Sequence, residues 1–67
     1  MDMELYEIRG QYPNKDFFHA VVVVDDQRDA VALAQGIRKV TTVNKVAVYS
    51  MEDNRCVFYD ILQAPKS

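Results

Sequence analysis

His19 is the only histidine of this 67-residue chain and Cys56 its only cysteine. A general base would be sought first at His19, because an imidazole titrates near neutral pH. No serine or cysteine stands close to it in sequence to form a nucleophile pair, so a packed ring is the expected role. A nucleophilic Cys56 would need a neighbouring cation or a helix N-terminus to depress its thiol pKa. Arg55 is adjacent, but successive side chains on a strand point to opposite faces. Cys56 is therefore read as a small, semi-buried apolar residue.

Asp25, Asp26 and Asp29 would suit a divalent cation, yet no acidic calcium loop with its central glycine is present. Their place at the start of a helix explains them as a cap and as favourable charges at the positive end of the dipole. One Cys and one His supply only two of the four ligands of a structural zinc site. Gly10 and Gly36 are the only glycines, too few and too far apart for a phosphate-binding loop. Tyr6, Tyr12, Tyr49, Tyr59, Phe17, Phe18 and Phe58 could form a stacking platform for single-stranded nucleic acid. The basic residues are scattered, however, and the basic–aromatic signature of RNA-binding sheets is missing. The aromatics are assigned to core and interface packing. No catalytic, cofactor or metal residue is assigned, and neither an enzyme nor a nucleic-acid binder is expected.

The composition bounds what can hold these residues. A chain of this size buries only about 60% of the surface its unfolded form exposes. Small folds compensate with disulfides, a metal or oligomerisation. A single cysteine rules out an internal disulfide, which leaves oligomerisation. Eight basic against ten acidic residues give a net charge of −2, no basis for counterion-driven binding to nucleic acid. The first residues lack the basic-then-apolar pattern of a signal peptide, and no apolar run reaches the roughly 18 residues of a membrane span. With its lone thiol, the chain is expected in the cytoplasm, away from membranes.

Hydrophobic period divides the chain into five elements. Met3–Tyr12 and Phe17–Val24 are rich in strand formers and flank the turn signal Pro13–Asp16, so they should form a hairpin. Asp26 then opens a helix in which Ala30, Leu33, Ala34, Ile37 and Val40 make an apolar stripe, with Arg38 and Lys39 at its C-terminal end and Val31 on the far side. Gly36 costs about 1 kcal/mol relative to Ala in mid-helix, and close approach to the sheet is its expected reason. Lys45–Met51 and Cys56–Leu62 form a second hairpin about Asp53-Asn54, both of which tolerate positive φ. The chain thus reads as one α+β domain over residues 1–67, ordered ββαββ. Its four-stranded sheet carries one helix on one face, and residues 62–67 should fray.

Two-residue turns fix the expected faces. A turn at Asn14-Lys15 sets Tyr12 opposite Phe17, Gly10 opposite His19, Ile8 opposite Val21 and Tyr6 opposite Val23, all beneath the helix. Phe18, Ala20, Val22 and Val24 then lie on the uncovered side beside Leu5, Glu7, Arg9 and Gln11. The second hairpin divides into Val46, Val48, Val57, Tyr59 and Ile61 on one face. Ala47, Tyr49, Met51, Cys56 and Phe58 share the other with Asp60 and Leu62. An uncovered apolar patch of that kind marks an interaction surface. Phe18, Ala20, Val22 and Val24, extended by Tyr49 and Phe58, are the expected interface residues of a homodimer. Face-to-face sheet packing is the simplest arrangement and a shared edge strand a second.

In overall shape the chain resembles the small ββαββ proteins often encoded by phages and mobile elements. That resemblance implies a protein-binding inhibitor or adaptor. A non-enzymatic protein–protein interaction module is therefore expected, with an unidentified protein partner. The alternatives are a small-ligand or nucleotide pocket between subunits, walled by tyrosines, and then single-stranded nucleic acid.

Overall fold

The computed structural model describes residues 3–40 and 42–61. The fraying expected of residues 62–67, the face given to Leu62 and the stripe position given to the Val40 side chain lie outside what is described. The elements are β1 (Glu4–Gln11), β2 (Phe17–Val24), α1 (Gln27–Val40), β3 (Lys45–Ser50) and β4 (Arg55–Ile61). They form one antiparallel sheet in the order β2-β1-β3-β4, with α1 on one face, chiefly over β3 and β1. The two hairpins meet along β1 and β3, which leaves β2 and β4 as edges. This is the α+β, ββαββ architecture that the hydrophobic period implies.

The first hairpin corrects the expected register. Its loop has three residues, Pro13-Asn14-Lys15, rather than two. Lys15 N–H donates to the Tyr12 carbonyl (2.9 Å), Tyr12 N–H donates to the Asp16 carbonyl (2.8 Å), and Lys15 takes a positive φ of 73°. Pro13 presets the first turn residue, and the Asn14 side-chain oxygen accepts the Asp16 N–H at 3.1 Å. The longer loop sets Ile8 opposite Ala20, Tyr6 opposite Val22, Gly10 opposite Phe18 and Arg9 opposite His19. Strand side chains alternate with period two, so this one-residue slip exchanges the faces of β2. Phe18, Ala20, Val22 and Val24 lie on the helix side; Phe17, His19, Val21 and Val23 lie on the open side.

The second hairpin departs in a different way. Ser50 faces Arg55 across a four-residue loop, in which Asn54 has a φ of 56°. A bulge follows: Tyr49 faces Cys56 and Val48 faces Phe58, so Val57 has no partner of its own. The division of β3 holds, with Val46 and Val48 beneath the helix and Ala47 and Tyr49 on the open side. In β4 the bulge turns both Val57 and Phe58 against the core. Tyr59 and Ile61 go to the open side, and Asp60 goes to the helix side.

The core is small. Tyr6, Ile8, Val24, Ala30, Ala34, Val43, Val46 and Val48 are buried, and the largest of those fully enclosed are only Ile and Val. Two alanines on α1 let the helix approach closely. Ile37 packs beside them, Val31 is half-buried and Leu33 is half-exposed. The sheet-facing stripe is thus Ala30, Ala34 and Ile37 bordered by Val31, not by Leu33 as the spacing alone suggests. Asp26 caps the helix: its carboxylate accepts the Arg28 N–H (2.8 Å) and its carbonyl accepts the Asp29 N–H (3.2 Å). Desolvation pushes the Asp26 carboxyl upward, but bonds from Arg28 and Asp29 outweigh it and hold the group below its ordinary range. Arg38, near the far end, pairs with Asp60 and ties the helix to β4.

The two glycines sit in opposite surroundings. A Cβ on Gly36 would meet nothing within 4 Å, so close approach to the sheet does not account for it. A Cβ on Gly10 would lie 2.1 Å from Cε2 of Phe18, whose ring covers the glycine. An aromatic does fill the space above Gly10, but it is Phe18 rather than His19. Tyr12 leans on the same ring, with centroids 5.8 Å apart.

Candidate functional site

The helix-free face of the sheet is built from alternate residues of all four strands. Crossing from β2 to β4, one row carries Val21, Glu7, Tyr49 and Cys56. The next carries His19, Arg9, Ala47 and Tyr59, and the last carries Phe17, Gln11, Lys45 and Ile61. Leu5 and Val23 close the other end. Directly opposed residues share a face and touch, so the face is a polar centre flanked by apolar side chains.

One connected group holds that centre. Glu7 accepts from Arg9 Nε (2.8 Å), with Arg9 Nη2 at 2.7 Å, and its second oxygen lies 3.3 Å from His19 Nδ1. The Arg9 guanidinium lies over the Tyr49 ring, 4.4 Å from its centroid. The bond to Glu7 raises the Arg9 pKa further, so this cation stays charged at every pH of interest. Such an exposed, solvent-screened ion pair contributes little to stability. Its larger effect is to hold the Arg9 guanidinium over the Tyr49 ring.

The flanks are the unusual part. Phe17 is 75% exposed, Val23 56%, Val21 50% and Leu5 50%; Tyr59 and Ile61 are also exposed. Four of these six sit on β2 or directly opposite it. A half-solvated antiparallel sheet normally turns polar residues outward.

The residues singled out from sequence are distributed as follows. Tyr49 lies on the open face as expected. Phe18, Val22, Val24 and Phe58 instead pack against the core, and Ala20, though exposed, points to the helix side. The expected uncovered patch on β2 is therefore made of the opposite alternate set, for the turn-length reason given above. His19, expected beneath the helix, is on the open face beside Glu7. Cys56, expected to be semi-buried, is exposed and donates to the Phe58 carbonyl at 3.4 Å. Asp25 and Asp29 are exposed about the Asp26 cap. Among the described residues no group of three or more His, Cys, Asp or Glu side chains gathers as metal ligands, and no helix is long and apolar enough to cross a membrane.

Two contacts are not readable from the sequence. The Glu7–Arg9–Tyr49 group needs β1 beside β3, an order that local pattern does not encode. Arg38–Asp60 needs the bulge, because a regular β4 would turn Asp60 away from the helix. No family model, curated protein or solved structure matches the chain.

Proposed function

We propose that this protein is a non-enzymatic protein–protein interaction module, working as a homodimer, that acts as an adaptor or inhibitor by occupying a partner's surface. The observation that supports this most is the open sheet face, whose apolar flanks stay half-exposed around a pre-oriented Arg9–Tyr49 centre. Continuous exposed apolar patches mark interaction sites, and aromatic and Arg side chains are the residues that carry interface energy. The exposed Cys56 thiol suits a reducing compartment, in keeping with a cytoplasmic protein.

The test has two arms. Sedimentation velocity across concentrations should give a dimer; a monomer throughout would remove the homodimer. Partner capture should be lost in Tyr49→Ala and Ile61→Ser while circular dichroism is unchanged. Capture that survives both substitutions would take the partner site away from this face.

One observation favours a second reading. Arg9, Lys45, Tyr49 and Tyr59 line a shallow recess of about 270 Å³ on the same face. Two cations beside two phenol rings suit a planar anionic ligand such as a nucleotide. A strong thermal shift from one nucleotide in an unbiased metabolite screen would favour that reading over the macromolecular one. A salt-sensitive gel shift with single-stranded nucleic acid would favour the aromatic-platform alternative.

A further inference from the structure

We propose that β2 pairs antiparallel with β2 of a second copy about a two-fold axis at Ala20, joining the two sheets into one eight-stranded sheet. This deepens the homodimer reading above and rests on it.

The backbone supplies the first reason. Tyr12 N–H donates to the Asp16 carbonyl, so with the observed register Gly10/Phe18, Ile8/Ala20 and Tyr6/Val22 are the pairs that exchange hydrogen bonds. On the other flank of β1, Met51 N–H donates to the Leu5 carbonyl, as the same alternation requires. The N–H and C=O groups of Phe17, His19, Val21 and Val23 therefore point away from the sheet. No described strand lies beyond them.

Composition supplies the second. Exposed edges are normally guarded by charge, proline, bulges or shortness. β2 has none of these: its eight residues, FFHAVVVV, contain no Lys, Arg, Asp, Glu, Pro or Gly. β4 is guarded, with the bulge at Val57, Arg55 at its start and Asp60 engaged by Arg38.

Register supplies the third. Placing Ala20 opposite its own copy sets Phe17 against Val23, Phe18 against Val22 and His19 against Val21 of the other copy, each occurring twice. Aromatic–β-branched cross-strand pairs of this kind are favourable, and the smallest side chain falls on the axis, where two copies of it meet. Continued past the strand ends, the same register brings Lys15 opposite Asp25 of the other copy, both exposed and oppositely charged. Sliding by two residues in one direction sets Asp16 against Asp26. Sliding in the other sets His19 on His19 and shortens the overlap. The centred register yields about eight interchain hydrogen bonds. It also places the two open faces side by side as one continuous surface for a partner.

Two measurements test the pairing. Val21→Pro removes an outward N–H without touching a bond to β1, and Val21→Lys places a charge on the edge. By sedimentation the wild-type chain should be a dimer and each variant should weaken it at least about tenfold; if Val21→Pro fails to fold, Val21→Lys decides. In a Cys56→Ser background, Ala20→Cys should oxidise to a disulfide-linked dimer. Its Cα atoms would lie about 4.5 Å apart across the axis, within the range a disulfide spans. Gln35→Cys, on the exposed side of α1, should not cross-link under the same conditions. A dimer that survives both Val21 variants and yields no Ala20→Cys cross-link overturns the edge pairing while leaving the homodimer reading intact. A wild-type monomer at every concentration overturns both.

Discussion

The two edges of this sheet are built on opposite principles. β4 carries a bulge, a charge at its start and an Asp held by the helix. β2 is longer and regular and carries no Lys, Arg, Asp or Glu. That one edge is protected and the other bare is the ground for proposing the bare one as a joint between copies. The contrast extends into the core, where β2 contributes only Val24 to the buried set. On its open side Val21 and Val23 stay half-exposed.

The largest expected effect separates the two sides of β2. Val22 packs against the core, so Val22→Glu should destabilise the monomer by about 2–3 kcal/mol, because a charge there loses water without gaining a partner. Val21→Lys, one residue away, should change monomer stability by no more than about 0.5 kcal/mol and act on assembly alone. Urea titration of each variant at low concentration checks this; equal losses from both would mean the faces of β2 are misassigned. Next in size is Gly10→Ala, whose methyl must displace the Phe18 ring. It should cost about 1–3 kcal/mol and be relieved in part by Phe18→Leu, as a double-mutant cycle would show. Deleting Val57 should convert the guarded edge into a regular one, since Cys56 and Phe58 already occupy alternate faces. Light scattering should then show assembly beyond the dimer; an unchanged particle size would mean that the bulge does not guard β4. Smallest is Gly36→Ala, exposed on a continuous helix with open space at the Cβ. It should raise stability by about 0.5–1 kcal/mol and leave both edges as they are, which thermal unfolding and sedimentation together would report.

Local pattern made the elements legible, because period two, period 3.6, the Asp26 cap and the turn residues each act over a few neighbours. The fold class and the small core follow from them. What local pattern could not carry was the count of residues in each turn. Pro13-Asn14-Lys15 and Asn14-Lys15 are both acceptable hairpin loops, and only tertiary burial of Val24 and Val22 selects the first. A strand reading VVVV gives no help, since either alternate set is apolar. That uniformity is what allows β2 to serve the core with one face and to present Val21 and Val23 with the other. The faces of β1 did not depend on that count: Tyr6 and Glu4 share one by period two, the Tyr6 hydroxyl donates to Glu4 (2.6 Å), and that bond together with burial pushes its pKa up to about 12.

Amide hydrogen exchange along β2 tests the edge most directly, residue by residue. Phe18, Ala20 and Val22 bond to β1 and should exchange slowly in either state. His19, Val21 and Val23 face outward and should also be slow when two copies pair, with protection that rises with protein concentration. Tyr59 and Ile61, outward on β4 by the same alternation, should remain fast. Fast exchange at His19, Val21 and Val23 at every concentration, beside slow exchange at Ala20 and Val22, would contradict the pairing.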